Sequence, residues 1–336
     1  FYIKDKLLVK IFISIASYQD PLLEATINSA FKMSDKPEDL IFGICDQSSV
    51  PFDKNSFEFK NQIFYEHIDP LISQGPCWAR ARIQEKFSDE GYYLQIDSHT
   101  QFQKGWDSYL IKYLKKIQEI DSGQHKKPII TCYPRAFEVV DYSTNDFLLK
   151  DEDKSTHVIT YREDSMFTKG NFCRQIGATT DSEITHGYLL AAGFLFTTSN
   201  FVKEIPYDPE LYFYGEEISL VLRAITRGYG IFHIPNAPIF HLYNDISDLK
   251  RKLHWDVTED EGRKIKWFER ENKSIERLNQ IINRQITGKF GLGTIKSLQD
   301  YQGLSGVDLI NMQVLDERKA HTSKFLSELS WEDSPF

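Results

Sequence analysis

Apolar positions in this chain come in blocks, and the blocks are separated by short polar stretches that read as turns. Leu7-Leu8-Val9-Lys10-Ile11-Phe12-Ile13-Ser14-Ile15 is too continuous and too β-branched for a surface strand, and predicts a buried parallel strand. It gives way to the polar turn Ala16-Ser17-Tyr18-Gln19-Asp20, after which Pro21 opens a helix over Leu22 to Phe31. Leu40-Ile41-Phe42-Gly43-Ile44-Cys45 predicts a second strand that stops at Asp46-Gln47-Ser48-Ser49, and Ile63-Phe64-Tyr65-Glu66 a third. A helix from Cys77 to about Ser88 then leads into the run Tyr92-Tyr93-Leu94-Gln95-Ile96. This alternation is that of an α/β fold with a mainly parallel sheet. Ligands of such sheets gather at the carboxyl ends of the strands, where the turn after Ile15, Asp46 and the tripeptide Asp97-Ser98-His99 all fall.

Further along, Asp107 to Ile120 places Leu110, Tyr113, Leu114, Ile117 and Ile120 on one helical face, and Pro128 to Tyr133 returns to strand. The polar stretch from about Asp141 to Asp181 predicts loops and short strands. Tyr188 to Phe196 reads as a strand whose middle residues, Ala191, Ala192 and Gly193, let a ligand or another backbone approach closely. Asn200 to Ile205 predicts a short helix. After Tyr212-Phe213-Tyr214-Gly215, a helix begins at Glu216-Glu217, with Ile218, Val221, Leu222 and Ile225 on its apolar face and Gly228 beyond its end. Ile231 to Ile234 and Pro238 to Tyr243 predict two more strands. Lys264 to Ile286 is a long helical segment with Ile265, Phe268, Ile275, Leu278 and Ile282 as candidate buried positions.

Composition narrows the class. The chain has 336 residues, 41% of them hydrophobic, which is enough for one large core or two smaller ones. A formal net charge of -9 argues against a general nucleic-acid binder, though a local basic groove stays open. No stretch approaches the roughly 18 uninterrupted apolar residues of a membrane helix, and the opening Phe1-Tyr2-Ile3-Lys4-Asp5 does not read as a signal peptide. The first residue is not Met, which leaves an upstream segment open. Cys45, Cys77, Cys132 and Cys173 are scattered without a CxxC pair, so neither a zinc cluster nor a disulfide framework is expected, and reduced cysteines suit a cytoplasmic protein.

Asp97-Ser98-His99 is the most informative segment, because a buried strand ending in two metal-competent residues can hold a divalent cation against a diphosphate. Such a cation neutralises the charge that develops when a sugar leaves a nucleoside diphosphate, and it needs no proton transfer to do so. An imidazole tilts the site toward Mn²⁺ over Mg²⁺. The competing reading is a turn capped by Asp97 with a solvated His99. Glu216 and Glu217 have a competing reading too, as complements to a helix dipole. His241 alone reads equally as a packed histidine.

Asp97-Ser98-His99, Ala191-Ala192-Gly193-Phe194, Gly215-Glu216-Glu217 and the late His241, in that order, resemble a retaining glycosyltransferase of the GT-A fold. Ala79-Arg80-Ala81-Arg82, the Asp-x-His tripeptide and Gly105-Trp106 are similar to the polypeptide N-acetylgalactosaminyltransferases. Four segments resemble more closely the GlcNAc-transferase family 60, which includes the cytoplasmic Skp1 hydroxyproline GlcNAc-transferase. They are Phe12 to Pro21, Cys45-Asp46-Gln47, Gly75 to Ala81 and Gln95-Ile96-Asp97-Ser98-His99. The resemblance runs from about Val9 to Tyr243 and fades beyond it. Cys pairs, a lectin domain and a membrane anchor of the mucin-type family are not recognisable, which points toward a cytoplasmic or bacterial enzyme.

The resemblance implies a catalytic domain over residues 1–245, with a nucleotide-binding half to about 106 and a sugar and acceptor half over 107–245. A lid loop and C-terminal helical extension over 246–336 follow. Asp97, His99 and His241 would bind the metal. Asp46 would hydrogen-bond the uracil of a UDP-sugar donor, UDP-GlcNAc being favoured, and Ala16, Ser17 and Tyr18 would enclose base and ribose. Ser98 belongs to the same donor site. Arg80 would meet the diphosphate or the sugar, with a salt bridge to a neighbouring carboxylate as the alternative. Ala192 and Gly193 would pass close to the sugar, and Glu216 or Glu217 would contact sugar hydroxyls or the acceptor. Lys250, Arg251, Lys252 and Trp255 lie in the lid stretch, or form a plain solvated charge run. The acceptor would be a protein hydroxyl, such as Ser, Thr or hydroxyproline, with two alternatives. One is a glycan acceptor in bacterial capsule or surface-polysaccharide synthesis, and the other a non-catalytic nucleotide-sugar-binding module. The tail ending in Trp331-Glu332-Asp333-Ser334-Pro335-Phe336 could cover the core, form a homo-oligomer or bind a partner.

Overall fold

The computed structural model describes residues 10–88, 90–120, 127–167, 173–243 and 251–321. Lys250 and the C-terminal Trp331 to Phe336 lie outside the described residues. The first part of the chain gives β1 (Ile11–Tyr18), α1 (Leu23–Met33), β2 (Leu40–Gln47), β3 (Ile63–His67), α2 (Pro76–Gln84) and β4 (Tyr92–Asp97). Then follow β5 (Thr100–Phe102), α3 (Trp106–Ile120), β6 (Pro128–Thr131), β7 (Arg135–Asp141), β8 (Asp146–Leu149), β9 (Thr156–Tyr161), β10 (Gln175–Thr180) and β11 (Thr185–Gly187). The remainder comprises β12 (Phe194–Thr198), α4 (Asn200–Glu204), α5 (Glu216–Ile225), β13 (Gly230–His233), β14 (Ile239–His241), α6 (Val257–Asp260), α7 (Trp267–Ile282), α8 (Leu298–Ser305), β15 (Val307–Asp308), β16 (Gln313–Val314) and α9 (Glu317–His321).

Eight strands form one sheet in the order β11-β13-β6-β12-β4-β1-β2-β3. β1 runs parallel to both β2 and β4, which aligns Ala16 with Cys45 and Asp97, and Ser17 with Asp46. β12 is antiparallel to β4 and β6, so the sheet is mostly but not wholly parallel. β5, β14, β7 and β8 make a second, four-stranded sheet, in which His241 pairs with Thr100 next to the Asp97-Ser98-His99 turn. The expected α/β class with a mainly parallel sheet is what the chain adopts.

Strand pleating sorts the side chains of β1 to two faces. Ile11, Ile13 and Ile15 join α1 and α3 in one apolar cluster, while Phe12 joins residues of α2, α5, α7 and α8 in the other. Leu278, Ile281 and Ile282 of α7, with Tyr301 and Leu304 of α8, are buried in that second cluster. The C-terminal helices are therefore part of the main core. All four cysteines are buried and unpaired. Among the described residues no helix is long and apolar enough to cross a membrane.

Several sequence expectations need correction. β1 continues through Ala16 and Ser17 to Tyr18, because polar residues there still pair with β2. The helix expected to reach Ser88 ends at Gln84. The strand expected from Tyr188 begins only at Phe194, and Tyr188 to Gly193 is an irregular, buried segment closed by a bridge between Ala191 and Phe194. Its apolar run reflects tertiary burial rather than a ladder. Ile120, at the last turn of α3, is 41% exposed, and Phe268 of α7 is 50% exposed, since each lies off the face that meets the core. The long C-terminal helix spans Trp267–Ile282 rather than the whole of Lys264 to Ile286.

Gly215 caps α5 with a left-handed φ of 93°, which a side chain would strain, and a Cβ there would lie 3.2 Å from the Leu278 side chain. α7 thus seats directly on the start of α5. Leu278→Ala should destabilise the protein by about 2–5 kcal/mol, measured by urea denaturation, because Leu278 is fully buried at that contact.

Candidate active site

The carboxyl end of β4 delivers Asp97, the following turn delivers His99, and β14 delivers His241. One ligand atom from each lies within 4.8 Å of the others. Asp97 Oδ2 is 3.2 Å from His241 Nε2 and 4.0 Å from His99 Nε2. Burial works against the charge of Asp97, but the His241 hydrogen bond and then the Arg80 guanidinium hold its carboxyl well below the usual range. Burial also pushes the His241 imidazole down, toward the neutral form a metal requires.

Asp20 supplies what the sequence did not reveal. Its buried Oδ2 lies 2.6 Å from His99 Nδ1 and accepts a 2.8 Å hydrogen bond from Ser98 Oγ. Burial opposes ionisation of Asp20, yet its contact with His99 and the Leu22 N–H keep its pKa below the ordinary carboxylate value. An ionised Asp20 accepts from Nδ1–H, which leaves the Nε2 lone pair of His99 facing Asp97. Two imidazoles and one carboxylate are a donor set that a divalent transition-metal cation can take. The position of Asp20 before Pro21 marks only a helix start, and nothing in the sequence pairs it with His99.

Gly193 lies against this cluster. A Cβ on it would come within 2.7 Å of Asp97 Oδ2, closer than real contacts allow, so glycine is required for the approach. Three side chains pin the segment around it. Gln95 donates to Ala192 O at 2.7 Å, Thr131 Oγ1 accepts from Ala191 N at 2.9 Å, and Glu217 Oε1 accepts from Ala192 N at 2.8 Å.

Arg80 is 3% exposed and bridges two carboxylates. It donates through Nη2 to Asp97 Oδ1 at 2.7 Å and through Nη1 to Glu216 Oε1. Glu216 also accepts from Tyr207 Oη, which in turn accepts from Gln95. The salt-bridge alternative for Arg80 is therefore the arrangement seen, although Arg80 still borders the cavity. That cavity of about 310 Å³ is lined by Arg80, Asp97, Gly193, Glu216, Glu217 and His241, among others. Burial pushes the Glu217 carboxyl up to about 8, reinforced by the charges of Glu216 and Asp97 against the Ala192 N–H.

A second cavity of about 410 Å³ opens at the ends of β1 and β2, lined by Tyr18, Ser48, His67, Lys252 and Glu259. Tyr18 Oη donates to Glu259 at 2.8 Å and accepts from Arg263, so residues beyond 250 form one wall of it. Ala16 and Ser17 lie in the strand behind, Ser17 buried. Asp46 is buried, its Oδ2 accepting from Tyr65 Oη at 2.8 Å and Ser48 Oγ at 2.9 Å, and burial raises its pKa.

Comparison with known proteins gives the class. The model of the glycosyltransferase family "Glycosyltransferase (GlcNAc)" matches residues 10–51 and 50–311, and the chain belongs to that family. The match runs past Tyr243, where the resemblance in the sequence appeared to stop, and takes in α7 and α8. No curated protein sequence matches the chain. Among solved structures it is similar to GalNAc-T7, crystallised with UDP, GalNAc and Mn²⁺, at 14% identity and a TM-score of 0.53. That match covers 89% of this chain and 55% of the other, so the chain spans little more than half the length of that relative. It is also similar to S. aureus TarS, residues 1–349, in complex with UDP-GlcNAc, at 13% identity and a TM-score of 0.41, covering 82% of this chain and 73% of that one. The first likeness supports the GT-A fold.

Two outcomes follow from this geometry. Asp20→Asn should leave the fold intact while weakening Mn²⁺ binding by about 10- to 100-fold in isothermal titration, because His99 loses its charged partner. The folded-state carboxyl of Glu217 holds its proton to about 8 against an ordinary 4.5, so its contribution to stability is complete below 4.5 and is lost as pH rises through 8. In EDTA, the melting temperature of the wild type should fall relative to Glu217→Gln between pH 5 and pH 9; parallel curves would contradict the shift.

Proposed function

We propose that this protein is a metal-dependent, retaining transferase that moves a sugar, GlcNAc in the first instance, from a UDP-sugar to a hydroxyl acceptor. The observation that carries this reading is the Asp97, His99 and His241 cluster, with His99 oriented by Asp20 and Gly193 making room beside it. Membership of the GlcNAc glycosyltransferase family supports it, as does a structural neighbour that binds UDP and Mn²⁺.

When bound, the cation neutralises the charge on the departing diphosphate. The protein's residues do the rest. Asp20 holds the His99 tautomer, and Arg80 holds Asp97 against rotation while its buried positive charge borders the donor cavity. Mostly neutral at pH 7, Glu217 borders the donor cavity without repelling the phosphates, while its oxygens hold Ala192 N and Gln175 Nε2. The cavity at Tyr18 takes the nucleoside, with Asp46, Ala16 and Ser17 behind it and Ser98 fixing the turn to the metal cluster. Glu216 is engaged by Arg80 and Tyr207, and Glu217 holds a proton, so neither serves as a free carboxylate base or nucleophile. The acceptor oxygen bonds the anomeric carbon as the bond to the diphosphate oxygen breaks, and the acceptor proton passes to that leaving oxygen. Retention follows from attack on the face the diphosphate leaves.

UDP-GlcNAc hydrolysis without acceptor should depend on Mn²⁺, cease in EDTA and return on Mn²⁺ addition. His99→Ala should lower it on the order of 100-fold. No turnover of any UDP-sugar, together with no Mn²⁺-dependent stabilisation by UDP in a thermal-shift series, would sink this reading.

A further inference from the structure

We propose that Gln95, in the middle of β4, is the positioning residue of the metal cluster, governing both oxygens of the Asp97 carboxylate without meeting a ligand itself. The inference rests on the metal-dependent reading above. Gln95 is fully buried and is not among the residues lining the cavity at Asp97. An apolar side chain would fill the same space in a buried strand without the cost of desolvating an amide. Gln95 stands two residues before Asp97, so the two side chains leave β4 on the same face.

Each hydrogen bond of Gln95 has a fixed direction. Ala192 O, 2.7 Å away, can only accept, so the amide nitrogen of Gln95 must face it. The second N–H of that nitrogen points to Tyr207 Oη at 2.6 Å, and the carbonyl of Gln95 accepts from Tyr93 Oη at 3.2 Å. Because Tyr207 Oη accepts there, its single proton goes to Glu216 Oε1 at 2.7 Å. That oxygen also takes Nη1 of Arg80, whose Nη2 holds Asp97 Oδ1 at 2.7 Å. One arm therefore runs from Gln95 through Tyr207, Glu216 and Arg80 to Oδ1. The other arm is shorter. By holding the Ala192 carbonyl, Gln95 sets the peptide that leads into Gly193, which Asp97 Oδ2 approaches so closely that a Cβ would lie 2.7 Å from it. Both arms close on the one carboxylate that His99 and His241 face, so the amide at position 95 decides where its oxygens point. The bond from Tyr93 belongs to neither arm.

The test uses the whole chain and measures Mn²⁺ affinity by isothermal titration without UDP, on variants that unfold cooperatively in urea. Gln95→Met roughly keeps the volume and removes both arms, and should weaken Mn²⁺ binding about tenfold or more. Tyr207→Phe cuts one arm and should weaken it about threefold, within the net worth of one hydrogen bond. Tyr93→Phe removes only the remaining bond and should leave the affinity within about twofold of wild type. Q95M/Y207F should bind no more than about twofold more weakly than Gln95→Met alone, because the two substitutions break the same arm. The Mn²⁺ concentration for half-maximal UDP-GlcNAc hydrolysis should rise by the same factor as the dissociation constant. A merely structural role would lower the urea midpoints and leave the Mn²⁺ affinities of the folded proteins together. An affinity within about twofold of wild type for Gln95→Met overturns the proposal, and so does an equal loss in Tyr93→Phe. If Gln95→Met does not fold, Tyr207→Phe decides, and an affinity equal to wild type overturns the proposal. A wild type that binds Mn²⁺ but hydrolyses no UDP-sugar overturns the transferase reading while the affinities still judge Gln95, whereas a wild type that binds no Mn²⁺ overturns both.

Discussion

The site depends on how the two oxygens of Asp97 are divided. Oδ1 is taken by Arg80, which leaves Oδ2 turned toward His241 and His99. The same guanidinium reaches Glu216 at the first turn of α5, so one buried cation ties α2, the end of β4 and the start of α5 together. Removing one partner of a buried ion pair typically costs about 3–5 kcal/mol, because the other charge is stranded. The geometry of the Asp97 cluster and the stability of the fold are consequently coupled at this point, and a change at Arg80 reads out in both.

The segment from Ala191 to Gly193 has to be held as firmly as the ligands it touches. It has no strand ladder of its own, so the buried side chains Gln95 and Thr131 and the helix residue Glu217 supply its hydrogen bonds. Each of these comes from a different element of the core, which fixes the loop from three directions. Glu217 does this while keeping its second oxygen on Gln175, and so connects the cavity at Asp97 to the β9–β10 ribbon.

Much of this was legible in the sequence where the cause was local. Continuous β-branched runs gave the central strands, since a strand buried on both faces needs no alternation. The polar tripeptide after Ile96 stands at the end of a buried strand, and there Asp97 and His99 come together with His241. Long-range pairings were not legible. Asp20 meets His99 across 79 positions, and Tyr18 meets Glu259 across 241, and neither spacing has a local signature. The misplaced strand at Tyr188 had a different cause: loops buried by tertiary contacts carry the same apolar composition as strands. Phe268 counted as a candidate buried position by periodicity, which defines a stripe wider than the contact the helix makes.

The stretch after residue 250 shows why a charge run cannot be judged from composition. Lys252 is 57% exposed and pairs with Glu259, while Glu259 also accepts from Tyr18 Oη and from Gln19 Nε2. Tyr18 uses both its donor and its acceptor on this segment, and its ring packs against His254 and under the Arg263 guanidinium. His254 reinforces the attachment through Tyr212 Oη at 2.6 Å and Ser73 Oγ at 3.0 Å. Burial and two nearby arginines push its pKa down to about 3, which keeps it neutral and able to both donate and accept in those two bonds. Residues 251–263 are thus tied to the rest of the protein by side-chain hydrogen bonds, and the carboxylate of Glu259 accepts from Tyr18 and Gln19 with its charge balanced by Lys252. The cavity at Tyr18 is therefore bordered by an ion pair, Lys252 with Glu259, rather than by a free carboxylate.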